Sequence, residues 1–167
     1  MNKIAQSMDL IALVQGFMAK KEMQLSDELS EKYGVPREEV ADVIESFLSD
    51  TYGPASSLAQ AIAGKEGALL LFIGRKDCPI CQRSEPILES FLSCHRDLEL
   101  VKLDYSQPSG LLYHMIHNQE KGMLPLIAFI FHGTIRMIFT GECLHTTIYE
   151  KYYNDMLAEC SQNIYAY

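Results

Sequence analysis

At 167 residues, 48% apolar and 22% charged, the chain is long enough for one ordinary domain, or a small domain with an appendage, and has the balance of a soluble globular protein. A net charge of −8 argues against a phosphate backbone or an anionic membrane as principal ligand, which excludes nucleic-acid and membrane partners at the outset. Five cysteines, an odd number with no secretion signal, point to free thiols and one working pair rather than a disulfide scaffold.

The apolar stretch from Met8 to Val14 is interrupted by Asp9 and leads to neither a cleavage site nor a membrane-spanning run, so the N-terminus reads as a cytoplasmic helix. Ile4, Met8, Ile11, Val14 and Met18 recur at three- and four-residue steps and predict an amphipathic helix over 4–20. Ser26, Leu29 and Tyr33 suggest a short second helix stopped at Gly34. Pro36 fits the first turn of a third, which carries Val40, Val43, Ile44 and Phe47. Tyr52-Gly53-Pro54 reads as a boundary, dividing the chain into an N-terminal helical module, 1–52, and a second domain, 53–167.

The segment from Asp27 to Val40 resembles a helix-turn-helix with its turn at Gly34. Residues 26–50 nevertheless hold eight acids and two bases, and a recognition helix opening Arg37-Glu38-Glu39 would repel phosphates. A docking or dimerisation element, or a plain helical cap, fits better.

From residue 57 the pattern changes. The sequence predicts a short helix over 57–63, a buried strand over Ala68 to Ile73, a helix from Pro79 to about Cys94 and a strand from Leu98 to Asp104, in the order of a right-handed parallel crossover. A helix from Pro108 to about Asn118 follows. Leu126 to Phe131 and Ile135 to Thr140, joined through His132-Gly133-Thr134, form an antiparallel hairpin. Thr147 with Glu150 is a capping box for a last helix.

Cys78-Pro79-Ile80-Cys81 carries the chemistry. Its first thiol falls where a buried strand hands over to a helix N-terminus, where unpaired amides and the helix dipole stabilise an anion. Cys81, one turn inside, is within reach to close a disulfide. Arg75 and Lys76 favour a thiolate at Cys78 and Asp77 opposes it, each weakly at exposed range.

This arrangement resembles the thioredoxin superfamily over roughly residues 55–160. Pro86 matches the proline within the family's active-site helix, Leu124-Pro125 its apolar-residue-then-cis-proline step, and Gly133 and Gly141 its hairpin-turn and strand-closing glycines. The resemblance implies an α/β, thioredoxin-like three-layer fold, a central mixed sheet flanked by helices, with an N-terminal helical extension. It implies Cys78 as nucleophile, Cys81 as resolving thiol, and Leu124, Pro125, Pro79 and Ile80 as the surface that receives an extended peptide. Two positions depart from the family. Its buried acid is replaced by Phe72, and the tryptophan before its first cysteine by Asp77. Proton removal from Cys81 must then use water or another group, and Lys102 matches a family lysine near that place. The Cys-Pro-x-Cys form is also similar to glutaredoxins, without their Thr-Val-Pro and Gly-Gly signatures. Phe72-Ile73-Gly74-Arg75 leading into it is similar to thioredoxin-like accessory proteins of bacteriocin export.

The expected activity is thiol–disulfide exchange on a protein or peptide disulfide, with an unidentified electron donor, no cofactor and no metal. A non-catalytic adaptor on the same fold and a redox-sensing regulator stay open, as does a homodimer or a partner protein held through the N-terminal helices. Cys143, in the loop after the hairpin, is either a third redox thiol or an unreactive one. Cys94 and Cys160 read as core or surface thiols, and His114 and His117 as a solvated helical face. A zinc site of Cys78, Cys81, Cys94 and His95 fails on distance, because the last two lie at the far end of one helix, more than ~20 Å away.

Overall fold

The computed structural model describes residues 2–4, 7–117 and 122–164. Asp9 makes the first helix begin later than its periodicity predicts: its Oδ1 accepts from the Ala12 N–H at 2.7 Å and caps α1, Leu10–Tyr33. β1, Asn2–Ile4, and β2, Met8–Asp9, both pair antiparallel with the last strand.

The two helices expected over 4–20 and 26–33 are one, since neither glycine nor proline falls between residues 17 and 33 to end it. Gly34 does end it, at φ 64°, its N–H donating to the Ser30 carbonyl. α2, Arg37–Ala63, then runs back and passes through Tyr52-Gly53-Pro54 without a break, so the expected helix at 57–63 is its final part. Gly53 and Pro54 cost roughly 1 and 3 kcal/mol in a helix interior. Burial of Ile44, Leu48 and Ile62, each contributing ~1.5–3 kcal/mol, offsets that.

The remaining elements are β3, Ala68–Gly74; α3, Pro79–Cys94; β4, Glu99–Asp104; a 3₁₀ turn, Pro108–Leu111, leading into α4, Leu112–Ile116; β5, Leu126–Phe131; β6, Thr134–Thr140; and α5, Thr146–Ile164. Asn118, where the α4 segment was expected to end, lies outside the described residues. The sheet order is β1-β6-β5-β3-β4, with β2 also on β6. Among the described residues only β3 and β4 pair in parallel.

Alternation along the strands feeds two cores. Leu69, Leu71 and Ile73 face α1, α2 and α4 together with Leu126, Ala128 and Ile130. Leu70 and Phe72 face α3 and α5 with Ile127, Phe129, Met137 and Phe139. β6 changes parity at Arg136, an extra residue that leaves Ile135 and Ile138 on the same face. His132 and Gly133, at φ 47° and 71°, make the hairpin turn between β5 and β6. The far end of the α1–α2 hairpin has its own small cluster, Val40, Ile44 and Leu48, and exposes Met23, Tyr33, Val43 and Phe47. No helix among the described residues is long and apolar enough to cross a membrane.

His117 is not on a solvated face. It is 5% exposed, packed on Tyr113 at 5.4 Å between ring centroids, with no partner for either ring nitrogen among the described residues. Burial pushes its pKa down, and burial likewise lowers that of His114. Folding therefore holds the buried His117 neutral, whereas His114 is exposed and bonds Tyr105 Oη at 2.8 Å. The stability that His117 contributes is complete above the unfolded value near 6.5 and is lost as pH falls below it, at up to about 1.4 kcal/mol per pH unit. Urea unfolding between pH 7.5 and 5 should show this decline, and His117→Leu should make it shallower; an equally steep decline in the variant would remove His117 as its source.

Candidate active site

Sheet register assembles the site before any side chain does. Ile73 at the end of β3 pairs with Leu126 at the start of β5, Gly74 with Asp104 at the end of β4, and Leu126 with Thr140 at the end of β6. The β3–α3 turn, Tyr105, Leu124-Pro125 and the loop after β6 therefore meet at one end of the sheet. The Gly74 carbonyl accepts from Tyr105 N–H at 2.7 Å and the Pro125 carbonyl from Gly141 N–H at 2.9 Å. The Leu124–Pro125 peptide bond is cis.

Cys78 is the N-cap of α3. Its extended backbone lets the sulfur accept from the Cys81 N–H at 3.2 Å, while Pro79, at the first helical position, lacks an N–H that would have no partner there. The thiol of Cys81 donates to the Cys78 sulfur, 2.6 Å away. The two differ in access: Cys78 is half-buried, Cys81 has no exposed surface, and Pro79 and Ile80 lie at the rim between them. The Cys81 thiol is pushed up to about 12, by burial first, then by its hydrogen bond to Cys78 and by the charges of Cys78 and Glu85.

Around the pair, Arg75 Nε bonds Asp77 Oδ1 at 2.5 Å, so these two opposite charges are committed to each other. Lys76 is exposed, and its carbonyl accepts from Gln82 Nε2 at 2.6 Å. Arg83 Nε bonds Glu142 Oε1 at 2.5 Å, tying the second turn of α3 to the loop after β6. Lys102 lies opposite Phe72 in register and bonds Glu85 Oε2 at 2.8 Å.

Cys143 belongs to the core under the site. It is fully buried, its N–H donates to Ser84 Oγ at 3.3 Å, and burial pushes its thiol up. Cys94 is exposed and Cys160 half-buried, both remote along α3 and α5, and His95 bonds Glu150 at 2.9 Å. Glu85 and Ser84 were not singled out from sequence. Glu85 had a signal, lying four residues after Cys81 on the same face of a predicted helix; Ser84 had none.

A mixed sheet with a parallel βαβ crossover, two cysteines at the N-terminus of the crossover helix and a cis proline opening the adjacent antiparallel strand decide the architecture. The chain has the thioredoxin fold. Among solved structures it is similar to desulfothioredoxin from Desulfovibrio vulgaris Hildenborough in its reduced form, at 18% identity and a TM-score of 0.50, over 58% of this chain and 88% of that one. It is similar also to a structure solved for the thiol resolving mechanism in yeast mitochondrial 1-Cys peroxiredoxin via glutathione/thioredoxin systems, at 17% identity and a TM-score of 0.50, over 60% and 88%. No protein-family model matches the sequence, and no curated protein matches it. Relative to the thioredoxin fold of these structures, the present chain is longer.

Proposed function

We propose that the protein is a thiol–disulfide oxidoreductase that reduces protein disulfides through a Cys78/Cys81 cycle. The observation that supports this most directly is the pair itself: two free sulfurs 2.6 Å apart at a helix N-terminus, the outer one reachable and the inner one sealed behind it. Cys78 sulfur attacks one sulfur of a substrate disulfide, that S–S bond breaks, and the departing thiolate takes a proton from water. Cys81 loses its proton and attacks Cys78. A Cys78–Cys81 disulfide forms, the mixed disulfide breaks, and the second substrate sulfur leaves as a thiol. The substrate gains two electrons, which a dithiol donor of unidentified source returns to the pair. Sulfur supplies all the electron transfer, so the cycle needs no cofactor. Leu124, Pro125, Pro79 and Ile80 would receive the extended peptide, and a reducing compartment such as the cytoplasm favours this direction.

Insulin-disulfide reduction by a chemical reductant tests the reading: catalytic amounts of the protein should accelerate it, and a rate equal to reductant alone would overturn it. A second reading, an adaptor on the same scaffold, draws on Val43 and Phe47, exposed one turn apart on α2 in the segment of eight acids and two bases. That charge suits a basic protein partner.

A further inference from the structure

The resolving step requires a proton acceptor for Cys81, and the strand position that would hold an acid by resemblance is Phe72, which has no exposed surface. A carboxylate sits elsewhere within range. Glu85, one helical turn beyond Cys81 on α3, exerts its charge on that thiol and is held by Lys102 Nζ from β4 at 2.8 Å. Both line an open cleft of about 350 Å³ whose wall includes Gly74. Behind that wall a Cβ added at Gly74 would meet the Phe72 ring at 2.7 Å and Cys81 Cβ at 3.5 Å. The cleft thus reaches Gly74, which lies beside Cys81 in the fold.

We propose that Glu85, oriented by Lys102, is the proton acceptor for Cys81 when the mixed disulfide is resolved. The proposal rests on the dithiol reading above. The Cys81 S–H bond breaks and its proton passes through water in the cleft to the Glu85 carboxylate. The sulfur then attacks Cys78, the Cys78–Cys81 bond forms, the substrate sulfur departs, and Glu85 returns its proton to solvent. Lys102 is a positioning residue. Other charged groups surround the pair: Arg75 pairs with Asp77, Arg83 with Glu142, and Asp104 accepts from Ser106, which with the nearby Lys76 and Arg75 charges holds its carboxyl below the usual range. On the opposite side burial keeps Cys143 and Tyr149 neutral.

Reaction of the reduced protein with 5,5′-dithiobis(2-nitrobenzoate), in a background lacking Cys94 and Cys160, separates the two steps. The first yellow thiolate reports Cys78 attack, the second its displacement by Cys81. Glu85→Gln should leave the first phase within about twofold and slow the second at least tenfold at pH 7, a conservative share of what a general base contributes. Glu85→Asp should recover part of the rate, and Lys102→Met should slow the second phase less than Glu85→Gln does. The parent rate should level off with rising pH while the Gln variant climbs with hydroxide. A purely electrostatic Glu85 predicts the reverse, because removing its charge makes Cys81 easier to ionise; a second phase unchanged or faster in Glu85→Gln overturns the proposal. A parent that gives no first phase, or a first without a second, sinks the dithiol reading and this proposal with it.

Discussion

Cys78→Ser should bring catalysed disulfide reduction down to the rate of the chemical reductant alone, a loss of about a hundredfold or more, because a hydroxyl at the helix N-terminus cannot form the mixed disulfide. Cys81→Ser should fail differently. It keeps the outer sulfur and so attacks once, then stalls, since the residue one turn inside can no longer displace the substrate. The stalled species is a covalent adduct, visible as a mass increase of one substrate thiol less two hydrogens and reversed by dithiothreitol. The structural difference between the two sulfurs is what separates the variants: Cys78 is half-buried and Cys81 sealed, with its thiol pushed up to about 12. Attack on substrate through Cys81 is therefore closed on both access and ionisation. Turnover surviving in Cys78→Ser, or adduct forming equally on either sulfur, would reverse the assigned order.

The α/β architecture was legible because its strands are short apolar runs bounded by turn signals. Ala68 to Ile73 and Leu126 to Phe131 are buried on both faces, and His132-Gly133 supplies the two positive φ values that a tight hairpin requires. The N-terminal third was less legible for three physical reasons. A three-residue strand such as Asn2–Ile4 is too short to show alternation, and its pairing with β6 is a long-range property no local pattern records. Asp9 was read as an interruption of an apolar run, although an acid before Leu10 is equally an N-cap. Gly53-Pro54 signals a break, but Ala55, Ala59 and Ile62, at 0%, 0% and 1% exposure, bury the following turns against the sheet and hold the helix through it.

The reactive end of the molecule was legible in its covalent motif and not in its surroundings. Cys78 and Cys81 announce themselves by spacing, and Leu124-Pro125 by its resemblance. The ion pairs Arg75–Asp77, Arg83–Glu142 and Lys102–Glu85 join residues from separate elements or across a turn, and composition gave no reason to couple them. His117 went the other way. Two histidines at i, i+3 look like one wet face, yet at the C-terminal end of a five-residue helix the second turns under Tyr113 and into the core.

Phe72→Asp, which installs the acid that the resemblance lacks, should destabilise the protein by about 3–5 kcal/mol rather than improve it. The ring of Phe72 has no exposed surface, packs in the core between the sheet, α3 and α5, and covers Gly74 so closely that a Cβ there would lie 2.7 Å from its Cε1. Replacing it removes that volume and places a carboxylate in an apolar wall. The sign with pH follows. Burial raises the folded-state pKa of the new acid above its unfolded value, so the charge-dependent part of the penalty vanishes at low pH and grows as pH rises through the folded value. Equilibrium unfolding in urea at pH 7 and pH 4.5 measures both parts, with Phe72→Ala as the control for lost volume alone. Phe72→Leu, which keeps an apolar filler, should cost no more than about 1.5 kcal/mol. Equal stability of Phe72→Asp and Phe72→Leu at pH 7 would mean that position 72 tolerates a charge after all.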